Sequence, residues 1–252
     1  MLRGEPVIPG RQNKFRGEPQ RPSRSAAALT LRCRAATLSR VEDHALVLAW
    51  RSGQREAGRN LISRHYKAVF RFFFGKVPLA TCEDLAQQTF EVLCRRPEGF
   101  RGEGSFRAYL LGVARFVLIG HIRRNRPHEP VEDSILPADD PSASALLGAR
   151  QTLRLVATAL RGLELDDQIL IELKDWEGLS QAELATLFGV PQPTVARRLQ
   201  RARLRLRSAV EAVIADPSSR AASLRNLDSC LQSIRVCIDA RWGSGARGVG
   251  AP

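Results

Sequence analysis

A membrane-spanning helix needs about 20 consecutive apolar residues, and this sequence has no such run without charges. Nothing in it is therefore expected to span a bilayer. Its first apolar patch, Ala26-Ala27-Ala28-Leu29, is cut off by Arg32 and Arg34 and is too short for a signal-peptide core. Cysteine is sparse and odd in number: Cys33, Cys82, Cys94, Cys230 and Cys237. The odd count argues against a disulfide framework, and the spacing fits no common zinc pattern. Reduced thiols in the cytoplasm are the expectation; the alternative for Cys230 and Cys237 is that they pair, or bind a metal together with a partner. The histidines His44, His65, His121 and His128 are scattered, with no cysteine or carboxylate at ligand spacing. No strand pattern occurs, and no glycine-rich phosphate loop follows one. These absences leave no catalytic constellation. The chain reads as no enzyme, with no cofactor and no metal.

What the sequence has is positive charge, unevenly placed. Lys and Arg number 39 against 26 Asp and Glu, net +13, and arginine dominates lysine. Arginine suits phosphate and guanine contacts through its planar fork of donors. Residues 1–40 carry +7, 41–126 carry +7, 127–147 carry −5, 148–215 carry +2 and 216–252 carry +2. A basic chain with no membrane segment points to nucleic acid.

The charge map also gives the organisation. Residues 1–40 mix Arg with Gly, Pro, Gln and Ser and read as a disordered basic arm. That arm either adds nonspecific affinity for DNA or lies upstream of the true start codon. Residues 41–126 read as one helical domain. Asp43 is a candidate cap for its first helix. Asn60 to Phe74 presents Leu61, Ile62, Tyr66, Val69, Phe70, Phe73 and Phe74 at helical period. Thr81 precedes a third helix with Leu85, Ala86, Phe90, Val92 and Leu93 inside, while Glu83, Asp84, Gln87, Gln88 and Glu91 point elsewhere. Residues 95–104 hold a proline and three glycines and read as a loop. Ser105 caps a long helix to about Arg124, with Phe106, Leu110, Val113, Ala114 and Val117 on its core side. Residues 127–147, with four prolines and the acids Glu129, Glu132, Asp133, Asp139 and Asp140, read as a flexible acidic linker. Residues 148–215 read as a second helical domain: a helix from Ala149 to Leu160, then one from Gln168 to Trp176 capped by Asp166 and Asp167 and ended by Gly178. Residues 216–252 form a tail with one short helix, Leu224 to Ile238, and a frayed glycine-rich end. The fold class is all-α: two small helical domains, the second ending in a helix-turn-helix.

That last motif is the most informative stretch. Ser180 and Glu183 form a capping box, which satisfies backbone N–H groups at the start of a helix. Gly189 ends that helix, because glycine alone enters the left-handed cap without a Cβ penalty. Pro193 suits the opening of the next helix, where its missing N–H costs nothing. There Val195, Leu199, Ala202 and Leu206 make one apolar stripe. Thr194, Arg197, Arg198, Arg201 and Arg205 lie on a cationic face, and no acid occurs between Pro191 and Ala209. Together with Gln192 at its start, this is what a recognition helix in a major groove needs. An ordinary solvated basic helix is the bland alternative. In the long helix, Tyr109, Phe116 and Arg123 recur every seven residues, with Arg124 beside them. Aromatics next to arginine are what unpaired bases stack on. Spacing alone favours the alternative, that Tyr109 and Phe116 are ordinary core.

Two motif sets, in order, carry a family likeness. Cys82-Glu83-Asp84-Leu85-Ala86-Gln87-Gln88-Thr89-Phe90 with Ser105-Phe106-Arg107-Ala108-Tyr109-Leu110-Leu111-Gly112-Val113-Ala114-Arg115 form the first. Leu179-Ser180-Gln181-Ala182-Glu183-Leu184-Ala185, with Thr194-Val195 and Arg201-Ala202-Arg203, form the second. Over about residues 41–215 the chain resembles the sigma-70 family of RNA polymerase initiation subunits, in its extracytoplasmic-function group. Three positions depart from the family's usual pattern: Phe116 stands where Asn is usual, Gly120 where Asp is usual before His121-Ile122-Arg123-Arg124, and Tyr109 where Trp is usual.

The resemblance implies a region 2-like domain at 41–126 that binds core RNA polymerase and handles the downstream promoter element. It implies a region 4-like domain at 148–215 that reads the upstream element. The polymerase-binding surface would be Asp84, Gln87, Gln88, Phe90 and Glu91. The DNA-binding residues would be Gln192, Thr194, Arg197, Arg198, Arg201 and Arg205, together with Tyr109, Phe116, Arg123 and Arg124. The loop Pro97–Glu103 resembles one that captures a flipped base, and the acidic linker one that threads toward the RNA exit path. Core polymerase and promoter DNA are the implied partners, an anti-sigma factor is a further candidate, and no membrane is involved. Two rivals stand beside this reading. One is a helix-turn-helix regulator that never enters polymerase, which would need a sensor or dimerisation domain; the other is an enzyme with a DNA-binding tail, which would need an α/β domain.

Overall fold

The structure is a computed structural model, and it describes residues 41–125 and 144–243. The expectations for the basic arm 1–40, most of the linker 127–147 and the glycine-rich end fall outside those residues. Within them the chain is all-α. In order come α1 (41–51), α2 (Arg55–Phe73), α3 (Leu79–Arg95), a short 3-10 turn (Pro97–Gly99), α4 (Phe106–Arg124), α5 (Ser144–Arg161), α6 (Leu165–Asp175), α7 (Gln181–Phe188), α8 (Gln192–Val213), α9 (Pro217–Arg225) and α10 (Leu227–Gly243). The only extended pairing among the described residues is an isolated bridge between Phe74 and Val77.

The N-terminal helices pack through the phenylalanine-rich face of α2. Leu61, Val69, Phe70, Phe73 and Phe74 are buried, and they meet Leu85, Ala86, Phe90 and Leu93 of α3 and Phe106, Leu110, Leu111, Ala114, Val117 and Leu118 of α4. Val113, expected in that core, is half-buried; Leu111 and Leu118 take the deeper places. The C-terminal helices close around α8, whose stripe Val195, Leu199, Ala202, Leu206 and Val210 is buried against α5, α6 and α7.

Helix ends follow local chemistry in some places and long-range chemistry in others. Ser105 caps α4 as expected, its Oγ accepting from the Ala108 N–H at 3.2 Å. Asp43 does not cap α1. It lies inside that helix, buried, and binds His65 Nε2 at 2.9 Å and Arg64 Nη1 at 3.0 Å on α2. Asp166 and Asp167 likewise sit in the first turn of α6, not at its cap, which is Glu164. Asp167 instead holds Arg205 of α8. Helix α3 begins before Thr81, at Leu79, because the Pro78 carbonyl accepts the Thr81 and Cys82 N–H groups. The tail, expected to hold one short helix, is a helical pair: Asp216 caps α9, accepting from Ser219 N–H at 2.7 Å, and α10 follows after Asn226.

One carboxylate caps two helices. Glu183 Oε2 accepts from Ser180 N–H at 2.9 Å and from Ser180 Oγ at 2.7 Å, completing the capping box of α7. Its Oε1 accepts from Ser105 N–H at 3.1 Å and from Ser105 Oγ at 2.5 Å, at the start of α4. Desolvation works to raise the Glu183 pKa, but the hydrogen bonds from Ser105 and Ser180 outweigh it and hold the carboxyl below its ordinary range. A depressed folded-state pKa contributes stability at neutral pH that is lost as pH falls through the lowered value. Glu183→Ala is expected to cost roughly 1–3 kcal/mol in urea unfolding at neutral pH, from a lost cap and lost charge-assisted hydrogen bonds. The gap to the unsubstituted chain should narrow on acidification, and a gap independent of pH would show that the ionised form does not matter.

Candidate nucleic-acid interface

The helix-turn-helix is built by short-range rules. Gly189 adopts φ +65° at the end of α7, and its N–H bonds back to Ala185 and Thr186 carbonyls. Pro191 is the cap of α8 and Pro193 falls in its first turn, where a missing N–H is harmless. The buried stripe then turns the opposite face outward. Gln192, Arg197 and Arg201 are exposed, and Thr194 and Arg198 are half-buried. Among the described residues, Arg197, Arg198 and Arg201 form no ion pair, so their guanidinium forks are available to an outside acceptor. Arg205 is exposed but engaged, its Nη1 3.2 Å from Glu164 Oε2 and 2.5 Å from Asp167 Oδ2. Arg203 is held by Asp175 at 2.6 Å. The cationic face is therefore strongest over the first three turns of α8 and partly neutralised beyond them.

The second candidate surface lies on α4. Its first turn is pinned by an aromatic cluster: Phe100 meets Phe106 edge-on at 5.5 Å and Tyr109 at 5.6 Å. The loop at Pro97–Gly99 lies so close that a Cβ on Gly99 would overlap the Tyr109 hydroxyl. Arg51 of α1, which sequence reasoning missed, also ties this loop down. Its Nε donates to the Pro97 carbonyl at 3.0 Å and its Nη2 to the Phe100 carbonyl. Tyr109 is thus half-buried within a cluster. Phe116, two turns on, is 74% exposed, so the core alternative does not hold for it. Arg123 and Arg124 are exposed at the end of the same helix. Tyr109, Gly112, Val113 and Phe116 face Ala182, Glu183, Thr186 and Leu187 of α7 across a cleft of about 570 Å³.

The third surface is on α3. Asp84, Gln87, Gln88 and Glu91 are exposed on one face, with Gln87 Nε2 donating to Glu91 Oε1 at 3.1 Å. Phe90 is buried beneath them, stacked on Tyr66 at 6.1 Å. It supports this face from below and offers no contact surface of its own.

The two sets of helices meet at a seam of buried charge that the sequence reading did not anticipate. Arg71 of α2, 3% exposed, donates from Nε and Nη2 to Glu177 Oε1 at 2.8 and 2.5 Å and from Nη1 to Asp239 of α10. Arg107 of α4 reaches the other Glu177 oxygen at 2.9 Å, and Lys76 pairs with Glu172. Arg115 binds Asp166 at 2.9 Å and covers the Phe188 ring at 4.7 Å. In all of these pairs the base comes from the N-terminal helices and the acid from the C-terminal ones. Burial pushes the Glu172 carboxyl above its ordinary range; Lys76 and the Gln168 amide pull it down, but by less. That pair is held by the fold and does not drive it. The signal was present: Arg71 interrupts the run Val69-Phe70-Arg71-Phe72-Phe73-Phe74. A charge inside such a run must be answered, but spacing does not say by what.

Cys94 is an exposed free thiol, and Cys230 and Cys237 are half-buried free thiols. Among the described residues no group of His, Cys, Asp or Glu could hold a metal ion, and no helix is long and apolar enough to cross a membrane.

Comparison with known proteins bears on what these surfaces are for. Residues 61–128 match the family model described as Sigma-70 region 2, and residues 153–206 the one described as Sigma-70, region 4. The ECF RNA polymerase sigma-E factor of Haemophilus influenzae is 28% identical over 174 residues, covering 64% of this chain and 91% of that protein. The ECF RNA polymerase sigma factor SigC of Mycobacterium tuberculosis is 28% identical over 159 residues, 63% of this chain and 86% of its own length. Among solved structures, CnrH in complex with the cytosolic domain of CnrY aligns with a TM-score of 0.50 at 25% identity, over 68% of this chain and 98% of that one. The sigma factor RpoE of Bartonella quintana, in complex with the anti-sigma factor NepR, shares the fold at a TM-score of 0.50 and 21% identity, over 61% of this chain and 96% of its own.

The burial pattern of α4 makes a separable prediction. Phe106→Ala is expected to cost about 3–5 kcal/mol, as a large core truncation does. Phe116→Ala should change unfolding free energy by less than about 0.5 kcal/mol, as an exposed substitution does. Paired denaturant melts read both, and a large loss at Phe116 would return it to the core.

Proposed function

The chain belongs to the sigma-70 family of RNA polymerase sigma factors, in its extracytoplasmic-function group, and on that premise we propose that it binds core RNA polymerase and directs it to promoters. The observation that carries this is the order of the two matches, Sigma-70 region 2 at 61–128 and region 4 at 153–206, on a single chain. A helix-turn-helix alone would fit many regulators. Its pairing with the first match, which the α3 and α4 surfaces fall inside, fits a polymerase subunit.

Each surface takes a role by its chemistry. The polar face of α3, Asp84, Gln87, Gln88 and Glu91, docks on polymerase. It is exposed, it lacks the apolar content of a core face, and buried Phe90 fixes its shape. Helix α8 enters the major groove at the upstream element. Arg197, Arg198 and Arg201 supply bidentate donors to base edges and phosphates, and Gln192 and Thr194 supply polar contacts at the helix start. Arg205, held by Glu164 and Asp167, positions α8 on α6 in the free protein and must exchange partners to reach a phosphate. At the downstream element Phe116 offers an open face for an unpaired base, worth about 1–3 kcal/mol per stacked base. Tyr109 stiffens the Pro97–Glu103 loop beside it, and Arg123 and Arg124 supply charge for the backbone. The protein works by binding and not by a reaction of its own. Its setting is the cytoplasm, with DNA and polymerase, and an anti-sigma factor is a second partner by analogy with RpoE, whose structure holds the anti-sigma factor NepR.

Purified chain and core polymerase are expected to co-elute in size-exclusion chromatography at micromolar concentration. Asp84→Lys should weaken that complex while leaving the helical circular dichroism unchanged. Failure of the unsubstituted chain to co-elute would remove this reading and favour a regulator that acts on DNA alone.

A further inference from the structure

The last two helices have no place in the assignments above. The second family match ends at residue 206, whereas the chain folds on through α9 and α10. This pair touches both sets of helices. Leu227, Leu231, Ile234 and Ile238 of α10 are buried, and α10 packs against α5 and α6 on one side and α2 on the other. The Leu231 carbonyl accepts from Trp176 Nε1 at 2.9 Å, and Gln232 Nε2 donates to the Asp175 carbonyl at 2.5 Å. Asp239 reaches across to Arg71, the buried guanidinium at the centre of the seam, and shares it with Glu177.

The arrangement that α10 braces is one in which α7 stands against the first half of α4, beside Tyr109, while Phe116, Arg123 and Arg124 further along that helix stay exposed. Helix α7 forms the wall of the cleft opposite Tyr109 and Phe116, and Glu183 accepts both hydrogen bonds from Ser105 at the head of α4. Gly112 of α4 and Leu187 of α7 are in van der Waals reach: a Cβ at 112 would sit 3.8 Å from Leu187 Cγ. The polar face of α3 is left open. We propose that α9–α10 is an internal clasp that holds the free protein closed, able to meet polymerase through α3 but unable to engage a promoter until α7 leaves α4. The inference rests on the sigma-factor reading for what is blocked, and on the contacts alone for the closed form itself.

The chemistry of the seam suits a clasp that opens. An apolar seam of this size would resist exposure to water. Here opening rehydrates Arg71, Lys76, Arg107, Glu172 and Glu177, and that hydration offsets most of the attraction lost between them. The closed state is then favoured by a small difference between large terms, which a partner that binds only the open form can overcome. Asp239 is the adjustable member. It sits on the terminal helix, is partly exposed (35%), and answers a base that is almost wholly buried (3%).

The full-length chain carrying Asp239→Arg puts a second cation against Arg71, and Asp239→Asn keeps the shape without the charge. By small-angle scattering without polymerase, both should show a larger radius of gyration than the unsubstituted chain, Asp239→Arg the more so, with helical circular dichroism retained. With core polymerase in limiting amount, both should raise the initial rate of promoter-directed RNA several-fold. A Gly112→Cys, Leu187→Cys pair in a Cys94→Ser chain should do the opposite. Oxidised, it should still co-elute with polymerase yet fail to open promoters, and dithiothreitol should restore opening. Unchanged scattering in both Asp239 variants overturns the clasp, and so does an oxidised pair that opens promoters as well as its reduced form. If no version starts RNA with core polymerase, it is the sigma-factor reading that falls, and the scattering comparison still decides the clasp.

Discussion

A guanidinium buried among phenylalanines has to be neutralised where it lies, and Arg71 sets that demand for the whole chain. Taking one partner from a buried ion pair costs about 3–5 kcal/mol, because the other charge is left stranded. Arg71 sits between Phe70 and Phe72 on α2, and both of its carboxylates come from more than a hundred residues away: Glu177 before α7 and Asp239 on α10. The face of α2 that carries Arg71 is therefore closed only by the C-terminal helices. Lys76 with Glu172 and Arg107 with Glu177 repeat the same polarity, base from one side and acid from the other. A seam of this kind specifies which surfaces meet more than it adds to stability.

The candidate DNA-reading surfaces are placed by that meeting. Glu183 caps α7 and the head of α4 at once, so the helix-turn-helix and the aromatic face of α4 share one carboxylate. Arg205 is drawn onto Glu164 and Asp167, which leaves the first turns of α8 as the free cationic part. On the proposed reading, the Glu183 and Arg205 contacts that order these surfaces in the free chain are exchanged on binding DNA.

How much of this the sequence disclosed depended on the range of each interaction. The helix-turn-helix was legible almost residue by residue, because a capping box, a left-handed glycine and an apolar stripe each act within about two helical turns. Ser105 and the extent of α4 were legible for the same reason. The acids at Asp43, Asp166 and Asp167 misled, since a carboxylate near a helix start looks like a cap. Asp43 answers His65 and Arg64 and Asp167 answers Arg205, partners fixed only by tertiary packing. Tyr109 and Phe116 share a flank by spacing, yet one is clamped by Phe100 and Phe106 while the other is open. No periodicity distinguishes them, because the difference lies in the loop that covers one end of α4. The role of α10 was illegible, for it depends on Asp239 finding Arg71.

The central claim is that this one chain gives polymerase its choice of start site. Core polymerase can be supplied with the purified protein on fragmented genomic DNA, and the 5′ ends of the RNA mapped with and without it. New start sites are expected that appear only with the protein and share a sequence element upstream and another near the start. Start sites that are the same in both samples, or new ones with no shared elements, would contradict it.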